Sequence, residues 1–435
     1  MEEHNYSLLN MDYIFIVFSV LGNNFVSYFF FSTNSLFADT LTGTARFAGF
    51  LILTYSLTAL VSRPLFGSLS DRHGRVKFVR LGAAMCTVSC VLYSLTIGLA
   101  SSRLTTAIVL MLLINAVNGT GMGMNQTCAG AAVPDIVPKE KLAQGVGIFG
   151  LCITIAQALG PFIALTIIGS GGLNSFRTLY SVAAVLCGFS LICGCLIRYE
   201  RNKKLEKPAT SESVAYKSAK REPSVVDHAD NERIKTFFGL ERQIVSIFLI
   251  TTLIYLGLAG VMSYLTLFAK TRGFRVEFLG IYFFINAAGV MASRIIFGRI
   301  VDRRGGDIVI IPGMILTAVC LAAIPFAPSL PILICIALPY GIATGAVTPS
   351  LNSIMFKRCS PKRRGAVAAA YYVAIDIGIS VGTPLMGFIA DFIDFSWVYW
   401  LSSILVGSAA LIFILLGTDM RYKRKMNYSG NVTPE

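Results

Sequence analysis

Twelve stretches of predominantly apolar residues, each long enough to supply the roughly 20 residues that a bilayer-spanning helix needs, leave this chain few folds to adopt. They run over about 12–38, 46–70, 78–99, 104–133, 142–168, 176–198, 243–269, 276–300, 308–327, 330–356, 365–391 and 396–417. They are too long and too continuously apolar for the strands of a membrane barrel, which alternate over about ten residues. Helices are the other way to satisfy every backbone N–H and C=O group in lipid. Only 14% of the residues are charged, against about 25% in soluble proteins. The expectation is an all-α membrane protein with twelve transmembrane helices.

The formal net charge of +14 raises the question of a nucleic-acid partner, and its placement argues against one. Of the 37 lysines and arginines, 29 fall in alternate loops and the C-terminal tail, while six lie in the opposite loops: Arg46, Arg103, Arg177, Lys270, Arg272 and Arg275. By the positive-inside rule the larger set faces the cytoplasm, which puts both termini on that side of a plasma membrane. Glu2 and Glu3 open the chain and no basic residue precedes Arg46, so the first apolar run reads as a span rather than a cleaved signal. The ten cysteines lie almost entirely inside spans, where cysteine behaves as a small apolar residue. No C-x-x-C spacing, nucleophile–base pair or phosphate loop stands out, so neither a metal, a cofactor nor an enzyme is expected.

One long polar break, residues 199–242, is rich in Lys, Glu, Ser and Pro. Such composition cannot bury a core. The break divides the spans six and six: a first half, 1–198, a basic cytoplasmic linker, a second half, 243–417, and a basic cytoplasmic tail, 418–435. An amphipathic piece at 234–243 is expected to lie along the membrane surface. Internal repetition supports the division. "SRPLFGSLSDRHG" (Ser62–Gly74) and "SRIIFGRIVDRRG" (Ser293–Gly305) agree at seven of thirteen positions. "AQALGP" in the fifth span and "GISVGTP" in the eleventh both place small residues four apart before a proline. Two repeated six-span halves are a transporter architecture.

The loop after the second span reads Gly67, Leu69, Asp71, Arg72, Gly74 and Arg75, with a degenerate copy at Gly298, Asp302, Arg303 and Gly305. This resembles the signature G-x-L-x-D-[RK]-x-G-[RK] of the major facilitator superfamily, and the likeness covers essentially the whole chain. Gly160 and Pro161 are similar to the fifth-span motif of its efflux-type, drug:proton antiporter-like branch, although Ala156, Ala164 and Leu165 stand where that motif has glycines. Asn115 occupies the fourth-span position where the branch often carries an arginine implicated in proton coupling. The resemblance implies two pseudo-symmetric halves, a gating role for the repeated loop motif and alternating access.

Asp376 lies deep in the eleventh span, and an intramembrane carboxylate is costly and by default functional. It is the candidate proton-coupling residue, since His4, His73 and His228 all fall outside the spans. Arg63 and Arg294 precede Asp71 and Asp302 by eight residues, roughly 12 Å along a helix. Their equivalent places favour a charge network within each half over simple snorkelling. Asp39 and Glu277, near span ends, read as solvated loop charges. Asn23, Asn115, Asn118, Gln126, Gln157, Tyr264, Asn286, Asn352 and Tyr372 are candidates to line a substrate cavity, each with an interhelical hydrogen bond as the alternative.

These features together point to a monomeric, proton-coupled secondary transporter that exports a small organic compound. An importing symporter of a polar nutrient and a non-transporting receptor of the same fold are the alternatives.

Overall fold

The computed structural model describes residues 10–100, 103–138, 141–169, 171–200, 236–237, 240–304, 306–357 and 364–417. Twelve long helices account for nearly all of them. In the first half they are α1 (Met11–Thr42), α2 (Arg46–His73), α3 (Arg75–Ala100), α4 (Leu104–Ile136), α5 (Leu142–Ile168) and α6 (Leu173–Leu196). In the second they are α7 (Arg242–Thr271), α8 (Gly280–Arg304), α9 (Asp307–Ala323), α10 (Leu330–Lys357), α11 (Arg364–Phe392) and α12 (Phe395–Ile412). All twelve expected spans are present as helices long and apolar enough to cross a membrane. Most of the 199–242 segment and the 418–435 tail lie outside the described residues. Where the amphipathic piece was expected, β1 (Thr236–Phe237) pairs antiparallel with β2 (Leu240–Glu241), and α7 begins at Arg242.

These helices form because their side chains are apolar on every face, so neither water nor an amphipathic partner is required. Leu57, Val61 and Leu65 are large, exposed and spaced along one face of α2, an apolar surface suited to lipid. Prolines inside α2, α4, α5, α9, α10 and α11 are tolerated because neighbouring helices and Ser/Thr side chains meet the backbone groups they free. The first half is centred on buried rings. Phe30 meets Tyr93 at 5.2 Å and Tyr93 meets Tyr180 at 4.9 Å between centroids.

Internal repetition is visible in packing. A Cβ added to Gly123 of α4 would stand 2.1 Å from Ser62 Oγ of α2, and one added to Gly345 of α10 would stand 2.3 Å from Ser293 Oγ of α8. One turn away, Gly119 lies against the backbone of Tyr55, and Gly341 against that of Asn286. Ser62 and Ser293 even make the same bond, each hydroxyl donating to the carbonyl three residues earlier at 2.9 and 2.8 Å. So the serine that opens each repeated stretch seats a helix pair that only glycine lets approach so closely. The halves meet along α2 and α11, α8 and α5, and α1 and α7. The first two contacts exchange under the repeat.

Candidate functional site

The second helix of each half carries one arginine well inside its span, and both arginines cross to the other half. Arg63 Nε of α2 lies 3.0 Å from Asp376 Oδ2 of α11. Asp376 is buried, and neither Arg63 Nε nor Asp376 Oδ2 has an aligned hydrogen bond among the described residues. The contact is therefore an ion pair held by charge and proximity rather than by a well-directed N–H. Arg63 Nη2 also donates to Gln126 Oε1 of α4 at 3.4 Å, and its guanidinium sits 5.8 Å from the centre of the Tyr372 ring. Tyr372 is half exposed although it lies away from the lipid face of α11, while its neighbour Tyr371 is buried and donates to Thr348 O at 2.7 Å. In the second half, Arg294 Nη1 of α8 donates to Thr154 Oγ1 of α5 at 2.8 Å.

These contacts correct the sequence reading. Among the described residues neither Arg63 nor Arg294 pairs with a charged group of its own half; Arg63 keeps only the Gln126 amide there, and each arginine reaches the fifth helix of the opposite half. The physical reason is that an ionised side chain deep in a span is costly unless paired, and it takes the polar partner nearest to it.

The end of the bundle farthest from the repeated loops holds two more contacts between halves. Asp391 of α11 accepts from Ala45 N at 2.8 Å with Oδ1, and from Arg46 N at 2.9 Å and Arg46 Nε at 3.0 Å with Oδ2. Ala45, which opens α2, has no side-chain oxygen to cap the helix, so the cap comes from another half of the molecule. Lys270 Nζ of α7 pairs with Asp39 Oδ2 of α1 at 2.8 Å, so Asp39 is a bridge and not simply a solvated charge. Ser35 and Thr266 hydroxyls meet at 3.0 Å just inside it.

At the end carrying the repeated loops, the described ionic contacts stay inside the first half. Gly74 adopts φ 96° to close α2. Arg75 Nη1 then pairs with Asp135 Oδ2 of α4 at 2.8 Å, and Glu200 Oε1 accepts from the backbone N–H groups of Arg75 and Val76, capping α3.

A family model described as Major Facilitator Superfamily matches residues 14–383 and, in a second match, 247–430. The chain belongs to this superfamily. It is an integral membrane transporter. An uncharacterized MFS-type transporter of Methanocaldococcus jannaschii is 24% identical over 85% of this chain and 89% of its own length. A staphylopine export protein of Staphylococcus aureus is 23% identical over 87% of this chain and 90% of its own. The crystal structure of a D-xylose-proton symporter superposes with a TM-score of 0.74 at 16% identity, covering 94% of this chain and 98% of that one.

For the superfamily loop motif, Gly67 faces Thr127 of α4 with room to spare, and Arg72 is exposed. The side chains of Asp71, Asp302 and Arg303, the surroundings of Gly298 and the whole of Gly305 lie outside the described residues. Gly160 packs against Tyr28 of α1 immediately before Pro161. The candidate cavity residues scatter. Asn115 donates to Leu51 O at 2.6 Å and lines a small cavity with Phe30, Phe31, Asn34, Ile52 and Tyr55. Asn23 is buried with neither amide atom partnered among the described residues, and Asn286 Nδ2 and Asn352 Oδ1 are likewise unpartnered there. Asn118 is buried and Gln157 half-buried. Tyr264 is a correction: it is fully buried, donates to Thr383 O at 2.9 Å, and fills the space between Gly49 and Gly387 where the halves close, so it seals rather than lines. Nothing in the sequence but their charge marks Glu200, Asp391 and Lys270, which the structure places in these contacts.

Proposed function

We propose that this transporter exports a small organic compound in exchange for protons, by rocking its two halves about the Arg63–Asp376 contact. The observation that carries the reading is this ion pair: the described acid buried deep in a span faces an arginine of the other half across the interface that must open. Protonating Asp376 removes the charge that holds Arg63, and a proton delivered from one side can thereby release one half from the other. The name of the Staphylococcus aureus relative supports export as the direction. With the basic loops facing the cytoplasm of a plasma membrane, the Asp391 and Lys270 contacts lie on the outside and hold that side shut. The sealed outer end and the unpartnered polar groups near the centre support alternating access about a midplane site.

The test uses membrane vesicles containing wild type or Asp376→Asn, an imposed pH gradient, and a panel of fluorescent organic compounds read as accumulation. Asn imitates the protonated state, so the variant is expected to lose accumulation against a gradient while keeping downhill exchange. Uphill accumulation by the variant at the wild-type rate would remove Asp376 from the coupling role.

A further inference from the structure

The two central arginines are equivalent by repeat, but their partners are not. Arg63 and Arg294 hold the same place in the two copies of the repeated stretch, and each reaches the fifth helix of the opposite half. The register that lays Ala156 on Gly378 and Gly160 on Gly382 also lays Thr154 on Asp376. Packing agrees with this register: Gly160 of α5 sits against α1 at Tyr28, as Gly378 and Gly382 of α11 sit against α7 at Tyr255 and Leu256. So where Arg63 meets a carboxylate, Arg294 meets, among the described residues, the hydroxyl of Thr154.

Among the described residues no Asp or Glu lies within ion-pair distance of Arg294. Its depth matches that of Arg63, ten residues or roughly 15 Å from the end of its helix. Tyr28, Tyr255 and Tyr371, from α1, α7 and α11, stand within electrostatic reach of its guanidinium. Arg294 is nonetheless exposed, so the space beside it is open. A guanidinium presents five N–H donors in a flat fork that matches a carboxylate with two parallel bonds. Thr154 takes one of them. A cation this deep in a membrane protein is expensive unless something of opposite charge visits it. Among the described residues, two arginines and one aspartate leave a single positive charge at the centre, which one carboxylate cancels.

We propose that Arg294 is the docking point for a carboxylate of the substrate, which takes the place that Asp376 fills in the other half of the repeat, with Tyr28 and Tyr255 against the body of the compound. The substrate class is a small organic acid rather than a lipophilic cation. This rests on the reading of the central interface as the substrate site, but not on the direction of transport or on coupling.

Binding alone tests it. The full chain is purified in detergent and its thermal midpoint is followed with benzoate, 4-hydroxyphenylacetate and N-acetyltyrosine, each beside its amide, and with benzylammonium and inorganic phosphate. The acids are expected to raise the midpoint of wild type, and the amides, the amine and phosphate are not. Thr154→Asp supplies the missing carboxylate from within and should weaken the acids by about tenfold or more, as should Arg294→Gln, from loss of a charge-assisted fork. Thr154→Val removes the hydroxyl without adding a charge and should retain the response to the acids that Thr154→Asp loses, whereas loss of the response in both would assign the Arg294–Thr154 bond a merely structural use and overturn the docking role. The proposal is overturned if no acid in the panel shifts wild type, if amides or phosphate match the acids, or if Thr154→Asp responds like wild type. Because no transport is measured, an importer would give the same result, and a failed Asp376→Asn test would leave this one standing.

Discussion

Arg63 and Asp376 each carry a desolvation cost that the other offsets. Removing one partner of a buried pair leaves an uncompensated charge and costs about 3–5 kcal/mol, whereas replacing both by apolar groups is often neutral. Arg63→Met and Asp376→Leu are therefore each expected to lower the thermal midpoint of the purified protein sharply, and the double variant to recover most of the loss. Additive losses in that cycle would show that the two side chains do not interact. Both residues stand out in the sequence, because ionisable groups inside apolar runs are conspicuous. Their partnership does not, since nothing local in α2 points to α11. The equivalent places of Arg63 and Arg294 in the repeat suggest a network within each half, but a repeat does not say which helix a side chain faces. Thr154 carried a readable signal, the small-residue register that lays it on Asp376, but a threonine in a span is too ordinary to attract notice alone.

Helix pairs show where repetition becomes structure. α2 against α4 and α8 against α10 approach through Gly119 and Gly123 and through Gly341 and Gly345. Gly123→Ala and Gly345→Ala must push a Cβ into a serine hydroxyl and its helix, and each is expected to cost about 1–3 kcal/mol of stability. Gly147→Ala and Gly150→Ala in α5, where an added Cβ meets nothing within 4 Å, should leave stability unchanged or raise it. Thermal unfolding in detergent compares the four. The number and placement of the spans were legible because a long apolar run is a local property. The pairings were not, although G-x-x-x-G at the same register in the fourth helix of each half is a signal for them. α12 offers a second check at this scale. Asp394 caps it by accepting from Ser396 N at 2.8 Å. Hydrogen bonds from the Ser396 hydroxyl, and then from the backbone N–H groups of Ser396 and Phe395, hold its carboxyl below the ordinary value against some desolvation. A lowered value means the cap contributes fully above the unfolded-state pKa and fades as pH falls through the folded-state one. Asp394→Ala should thus cost about 1 kcal/mol near neutral pH, and the difference from wild type should shrink under acid. A gap that stays constant down to strong acid would assign the loss to something other than the charged cap.

Across the whole molecule, described contacts between halves fall at two levels: the centre, where the arginines cross, and the end away from the repeated loops, where Asp391 and Lys270 hold α2 to α11 and α1 to α7. At the other end the described ion pair and α3 cap bind the first half to itself. Under the proposed alternating access, a two-level arrangement of this kind marks the end that parts next, and no reading of spans and loops alone reaches it, because it depends on which charges meet in three dimensions. The cap on α2 carries a consequence of its own. The amides of Ala45 and Arg46 have their acceptors on α11 of the opposite half, so they are protected only while the halves are together at that end. Their hydrogen–deuterium exchange is then a clock for the opening of the entire transporter: the first turn of α2 should exchange in step with global opening and slow under any ligand that holds that end closed, while Asp391→Ala uncouples the two. Two backbone amides, readable by mass spectrometry without a covalent probe or a known substrate, report the balance between the states of the whole protein.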